Sequence, residues 1–222
     1  MDIHSLLKNI YGISAPQGMS EEDILFLKQR FGQIPEVLEA FYKICGAEDR
    51  VLHSQDRWIV PKNYKEWKWL NDDKEDLILV IENQGCCYAA IRKSDLGQEN
   101  PPVYVTEDEG ETWTLCSDSL ECFIKTMLVY QGAFLLDYFS EDIYWITQEE
   151  FEQILNNMQE YSFHIESWMG EMPIRAFYTE RDTAVVVMGQ DADDDLQMFY
   201  GAGSQENFEQ LQELLDGMGE EV

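Results

Sequence analysis

Up to Gly46 the apolar residues of this chain recur at helical spacing, and beyond it they begin to alternate, which commits the chain to a mixed helix-and-strand fold. Residues 2–11 place Ile3, Leu6, Leu7 and Ile10 on one side of a short amphipathic helix. Ser20 then precedes Glu21, Glu22 and Asp23, a cap followed by acids at the positive end of a helix dipole, with Ile24, Leu25, Leu27 and Phe31 as the apolar face before Gly32. Pro35 is expected at the first position of the next helix. Val37, Leu38, Phe41, Tyr42 and Ile44 form its buried stripe, and Gly46 supplies the stop.

After Gly46 the spacing predicts short strands. Arg57–Val60 is one, and an aromatic segment from Tyr64 to Leu70 bridges to Leu77–Glu82. The turn Asn83-Gln84-Gly85 returns the chain through Cys86–Arg92, so this pair reads as a hairpin. Val103–Thr106 and Trp113–Cys116 follow around an acidic turn, and Ser117-Asp118-Ser119 caps a helix whose buried face is Leu120, Phe123, Ile124, Met127 and Leu128.

The remaining 91 residues repeat the same kind of pattern. Thr147-Gln148-Glu149-Glu150 is a capping box that opens a helix with Phe151, Ile154, Leu155 and Met158 on one side. Strands are expected at Ile174–Thr179, Ala184–Met188 and Leu196–Tyr200, with Ser204 capping a last helix through Leu215. The expected fold is α+β, a largely antiparallel sheet flanked by helices over residues 1–135 and an acidic α+β extension over residues 136–222. One extended sheet and two abutting subdomains both fit this pattern.

Forty-four acids against fifteen bases give a net charge of −29, in a chain that is 45% hydrophobic and 13% aromatic. A disordered acidic tail lacks the aromatic and branched residues that run throughout here, so the charge belongs on the outside of a packed protein. Residues 132–222 hold 21 of the acids and only Arg175 and Arg181 as bases. Such a surface repels nucleic acid and anionic membranes and attracts a basic protein at long range.

Residues 1–7 lack the basic, apolar and small-residue succession of a secretory signal, and the longest apolar runs, such as Leu77–Ile81, have strand length, so a cytoplasmic location is expected. Five cysteines (Cys45, Cys86, Cys87, Cys116 and Cys122), none spaced as Cys-x-x-Cys, indicate neither a disulfide framework nor a zinc site.

No catalytic constellation stands out. His4, His53 and His164 are scattered, and no nucleophile elbow, phosphate loop or dinucleotide fingerprint is present. The run Asp191-Ala192-Asp193-Asp194-Asp195 fails as a calcium loop, because the glycine and glutamate that such a loop needs are replaced by Leu196 and Ala202. Both this run and Glu107-Asp108-Glu109-Gly110-Glu111 read as solvated turns suited to a cationic partner. Trp67 and Trp69, interleaved with Lys65 and Lys68, read as an aromatic lid on the sheet rather than a nucleic-acid platform in so acidic a chain. No cofactor, no metal and no enzymatic activity are expected.

The succession Ile34-Pro35-x-x-Leu38-x-x-Phe41-Tyr42-x-x-x-Gly46, Glu82-Asn83-Gln84-Gly85, Asn100-Pro101-Pro102-Val103-Tyr104-Val105, Trp113 and Ser119-Leu120-x-x-Phe123 resembles the SUKH superfamily over about residues 18 to 135. Relatives often carry a tryptophan just after the Glu-Asn-Gln-Gly turn, where this chain has Tyr88-Ala89. The resemblance implies an α+β fold without catalytic residues. It implies an immunity protein that neutralises a polymorphic or contact-dependent toxin by binding it. A fungal relative that regulates cell-wall synthesis supplies the alternative, a regulatory interaction scaffold. A basic nuclease is the toxin class that best matches the charge. The expected contact residues are Glu107, Asp108, Glu109, Glu111, Asp142, Trp145, Glu149, Asp193, Asp194 and Asp195.

Overall fold

The computed structural model of the chain describes residues 1–70, 75–189 and 196–221. Its first part runs α1 (Ile3–Tyr11), α2 (Glu21–Phe31), α3 (Glu36–Cys45), α4 (Asp49–Leu52), β1 (Arg57–Trp58) and α5 (Pro61–Glu66). It continues with β2 (Leu77–Ile81), β3 (Tyr88–Ile91), β4 (Val103–Thr106), β5 (Thr114–Ser117) and α6 (Leu120–Ala133). The last part holds β6 (Tyr138–Phe139), β7 (Tyr144–Ile146), α7 (Gln148–Asn157), β8 (Gln159–Glu160), β9 (Ile174–Tyr178), β10 (Thr183–Met188), β11 (Leu196–Ala202), α8 (Gln205–Leu214) and β12 (Glu220–Glu221). The fold is α+β, and every strand pair described is antiparallel.

Two compact units divide the chain. One comprises Ala15–Ile124 with Ser167–Met169, the other Met1–Ser14, Lys125–Glu166 and Gly170–Val222. Helix α6 therefore contributes residues to both, and α1 belongs with the C-terminal part of the sequence rather than with α2 and α3. Packing accounts for the place of α1: a Cβ on Gly132 of α6 would lie 2.5 Å from Ile10 and 2.8 Å from the Tyr11 ring, so glycine lets the two helices approach closely. The buried Tyr11 hydroxyl donates to the Leu128 carbonyl at 2.8 Å.

In the first unit β1 to β5 form a meander in sequence order. Register separates its two faces, because partners across an antiparallel ladder point the same way. Trp58, Val80, Ala89 and Val105 make one row, all buried beneath the helices. Trp58 meets Phe41 of α3 at 4.7 Å between centroids and Phe123 of α6 at 6.2 Å. Burial of rings of this size stabilises the fold by roughly 1.5–3 kcal/mol each. The hydroxyls of Tyr42 and Tyr64, both buried, donate to the carbonyls of Ile59 and Ile78 at 3.0 Å each.

The second unit's sheet has the order β12-β7-β11-β10-β9-β8, with β6 also paired to β11. Val185, Val187, Met198 and Tyr200 point to the side that carries Phe151 and Ile154 of α7 and Leu211 of α8. On its other side Phe199 stacks on Phe134 at 4.4 Å and meets Tyr130 of α6 edge-on at 5.9 Å. Both faces of β10 are thus covered, and it reads as an unbroken apolar run for that reason.

Three local expectations need correction. Leu25 and Leu155, assigned to buried helix faces, are 52% and 38% exposed. Each lies one residue beyond a fully buried neighbour, Ile24 and Ile154, and a 100° step carries it off the stripe. Pro35 is the N-cap of α3 rather than its first helical residue. The segment read as an aromatic bridge contains α5 and a single 3-10 turn at Lys68–Leu70.

Candidate functional site

The tip joining β4 to β5 is built by Asp108. Its carboxylate accepts from the Thr106 hydroxyl at 2.8 Å, the Thr112 amide at 2.8 Å and the Thr112 hydroxyl at 2.6 Å. The Thr112 side chain and amide, with Thr106, hold its pKa down at about 2. Glu109 and Gly110 take positive φ angles of 62° and 96° to close the turn. Asp108 is thereby committed to the scaffold, while Glu107, Glu109 and Glu111 face solvent. The Trp113 indole N–H donates back to the Gly110 carbonyl at 3.1 Å and fixes the ring against the tip.

In the second unit Asp142, Trp145 and Glu149 share one loop–strand–helix segment around β7. Trp145 pairs with Gln197 and Glu220, and Phe139 of β6 pairs with Gly201, so both project from the sheet face opposite α7 and α8. They are 36% and 51% exposed, with Ile143 at 36% between them in sequence. Asp137, Glu141, Asp142 and Glu149 are exposed on the same segment. Glu150, next to Glu149, is used in the fold: it accepts from the Thr147 amide at 2.7 Å and the Gly219 amide at 2.9 Å. Asp193, Asp194 and Asp195 lie outside the described residues. Leu196, which follows them, pairs with Ile146.

The second unit's sequence carries 22 acids against Lys8, Lys125, Arg175 and Arg181. Arg175 is held by a two-bonded pair with Glu160, at 2.7 and 2.9 Å, over the rings of Phe151 and Phe177. In its sequence, acids thus outnumber bases by more than five to one.

Sequence reasoning missed the open face of the first unit's sheet. Arg57, Ile81, Tyr88 and Thr106 form one cross-strand row there, and Ile78, Ala90, Tyr104 and Leu115 another. Trp67 and Trp69 lie beside these rows. The rings run Trp67 to Trp69 (6.3 Å), Trp69 to Tyr88 (6.0 Å) and Tyr88 to Trp113 (5.7 Å). Arginines close both ends, Arg57 over Trp67 at 5.3 Å and Arg92 over Trp113 at 4.8 Å. Grooves of about 390 Å³ beside Trp67, Trp69 and Asp56, and of about 440 Å³ beside Tyr88, Trp113 and Arg92, flank the row. These aromatics are spread from Trp67 to Trp113, and only strand register brings them together.

Two buried acids border the first groove. Asp56 and Glu82 are 2% and 4% exposed. Glu82 accepts from the Gln84 amide at 2.8 Å and the Cys86 amide at 3.3 Å, which builds the β2–β3 turn over Gly85 at a φ of 76°. Burial raises Asp56 to about 7, opposed by the Asn83 amide at 3.2 Å and reinforced by the negative charge of Glu82. Among the described residues no group of three or more His, Cys, Asp or Glu side chains is placed to hold a metal ion. Nor is any helix among them long and apolar enough to cross a membrane. No protein-family model, curated protein or solved structure matches the chain.

Proposed function

We propose that this protein is a non-catalytic immunity protein that binds and neutralises a basic toxin domain, a nuclease being the class whose phosphate-binding surface it best complements. The observation that carries the reading is the composition of the second unit, 22 acids against four bases, in a chain of net charge −29. A charge of one sign suits a protein partner of the opposite sign, since it steers the encounter. The reading also takes residues 18 to 135 to be related to the SUKH superfamily, whose succession of motifs they resemble. Such a protein acts in the compartment where the toxin acts, which the reading takes to be the cytoplasm.

Co-expression tests the reading. The product of the reading frame immediately upstream should arrest growth when expressed alone, and this protein should restore growth. Arrest that persists at equal expression contradicts the reading.

A further inference from the structure

We propose that the open face of the five-stranded sheet is the docking surface for the basic partner, with Trp69 and Trp113 as the anchors it buries and Glu107, Glu109 and Glu111 as the rim that meets its cations. The assignment rests on the partner-binding reading above and adds to it the place and chemistry of contact.

One face of this sheet is closed by Trp58, Val80, Ala89 and Val105 against the helices; on the other Ile78, Tyr88, Ala90 and Thr106 are themselves buried, and Trp69 at 40% and Leu115 at 42% exposure are what it presents. Tryptophan, tyrosine and arginine are the residues that dominate binding when they are desolvated at the centre of an interface. Here they stand in one contiguous row between two grooves of about 390 and 440 Å³, each wide enough to take a partner side chain. The row is already ordered. Tyr88, 8% exposed, supports Trp69 from one side and Trp113 from the other, so little side-chain freedom is lost on binding.

The rim is tied to the anchors by the same turn. Asp108 fixes the tip, the tip carbonyl of Gly110 fixes Trp113, and Glu107, Glu109 and Glu111 extend from that tip into solvent. Of the cations on the face, Arg92 pairs with Asp76 at 3.2 Å and Lys93 with Glu75, while Arg57 stands at the opposite end of the row over Trp67. Charge also selects the occupant. A second copy of this chain brings another −29 and is repelled, as is nucleic acid, whereas a basic protein is attracted.

The surface is tested with the full chain and a cationic amphipathic peptide, acetyl-(Arg-Leu)3-amide, by following the six tryptophan indole N–H signals at low salt. The signals of Trp69 and Trp113 should move, and the paired change Trp69→Ala and Trp113→Ala should weaken binding by about 10- to 100-fold. Because that variant alters packing around Tyr88, the triple change Glu107→Gln, Glu109→Gln and Glu111→Gln provides a second arm at exposed positions, and it should weaken binding and flatten its salt dependence. Movement confined to Trp145, no movement at all, or full affinity in both variants overturns the surface. The reading on which it rests is tested separately, by wild-type rescue of growth against the upstream product. A protein that rescues, and that still rescues with all five changes, retains the immunity reading and loses this surface.

Discussion

Trp113 donates its indole N–H to the carbonyl of Gly110 at 3.1 Å, so the orientation of an aromatic ring on the sheet depends on a hairpin tip that Asp108 holds together. Asp108→Ala should loosen that tip without unfolding the unit. Amide exchange at Gly110, bonded to the Thr106 hydroxyl, and at Thr112 should accelerate by about tenfold or more. Protection in β2 and β3 should stay as in the wild type. Because the folded carboxyl is depressed to about 2 from an ordinary 3.8, the tip keeps its full support above about pH 4 and loses it as pH falls through about 2. Unchanged exchange at Thr112 in the variant would contradict this account of the turn.

Asp56 titrates in the opposite sense. Its folded pKa of about 7 lies above the ordinary 3.8, so the folded chain holds a proton that the unfolded chain has released. The first unit should be most stable below about pH 4 as far as this group is concerned, and should lose stability as pH rises towards about 7. The loss is on the order of 4 kcal/mol at most. Asp56→Asn keeps an acceptor for the Asn83 amide and removes the titration, so denaturant midpoints at pH 5 and pH 8 should converge and the pH 8 value should rise. A variant with the same pH slope as the wild type would exclude Asp56 as its source.

Gly132→Ala tests how α1 is held. The added methyl would lie 2.5 Å from Ile10 and 2.8 Å from Tyr11, and overpacking of this kind costs about 1–3 kcal/mol. The second unit should melt earlier by several degrees, despite the better helix propensity of alanine. A melting temperature at or above that of the wild type would show that α1 yields without cost.

Adjacent glutamates at the start of α7 should behave differently. Glu150→Ala removes an acceptor for the amides of Thr147 and Gly219 and should destabilise the second unit by about 1 kcal/mol. Glu149→Ala, exposed, should leave the melting temperature unchanged. Equal melting temperatures for the two variants would count against the capping role of Glu150.

What could be read from the sequence depended on the length of each element. Val103–Thr106 and the buried stripe Leu120, Phe123, Ile124, Met127 and Leu128 stand where periodicity put them, because each segment carries enough residues to show a period. The two- and three-residue strands β6, β7 and β8 do not, and they are held by pairing with β11 and β9 rather than by their own pattern. The Thr147 capping box was legible because both partners lie within four residues. The row from Arg57 to Arg92 was not, because its members belong to different strands and loops, and a bulge between Ile78 and Val80 shifts the register that aligns them. Asp108 and Glu109 look alike in sequence, and only the turn shows that Asp108 bonds to Thr106 and Thr112 while Glu109 takes a positive φ of 62°.

Association of this protein with the purified product of the upstream reading frame, measured at about 50 mM and about 300 mM salt, tests the central claim most directly. The account predicts tight binding whose on-rate falls steeply between the two conditions while dissociation changes little. An absence of binding at both salts, or binding insensitive to salt, would contradict a partner chosen by the charge of this chain.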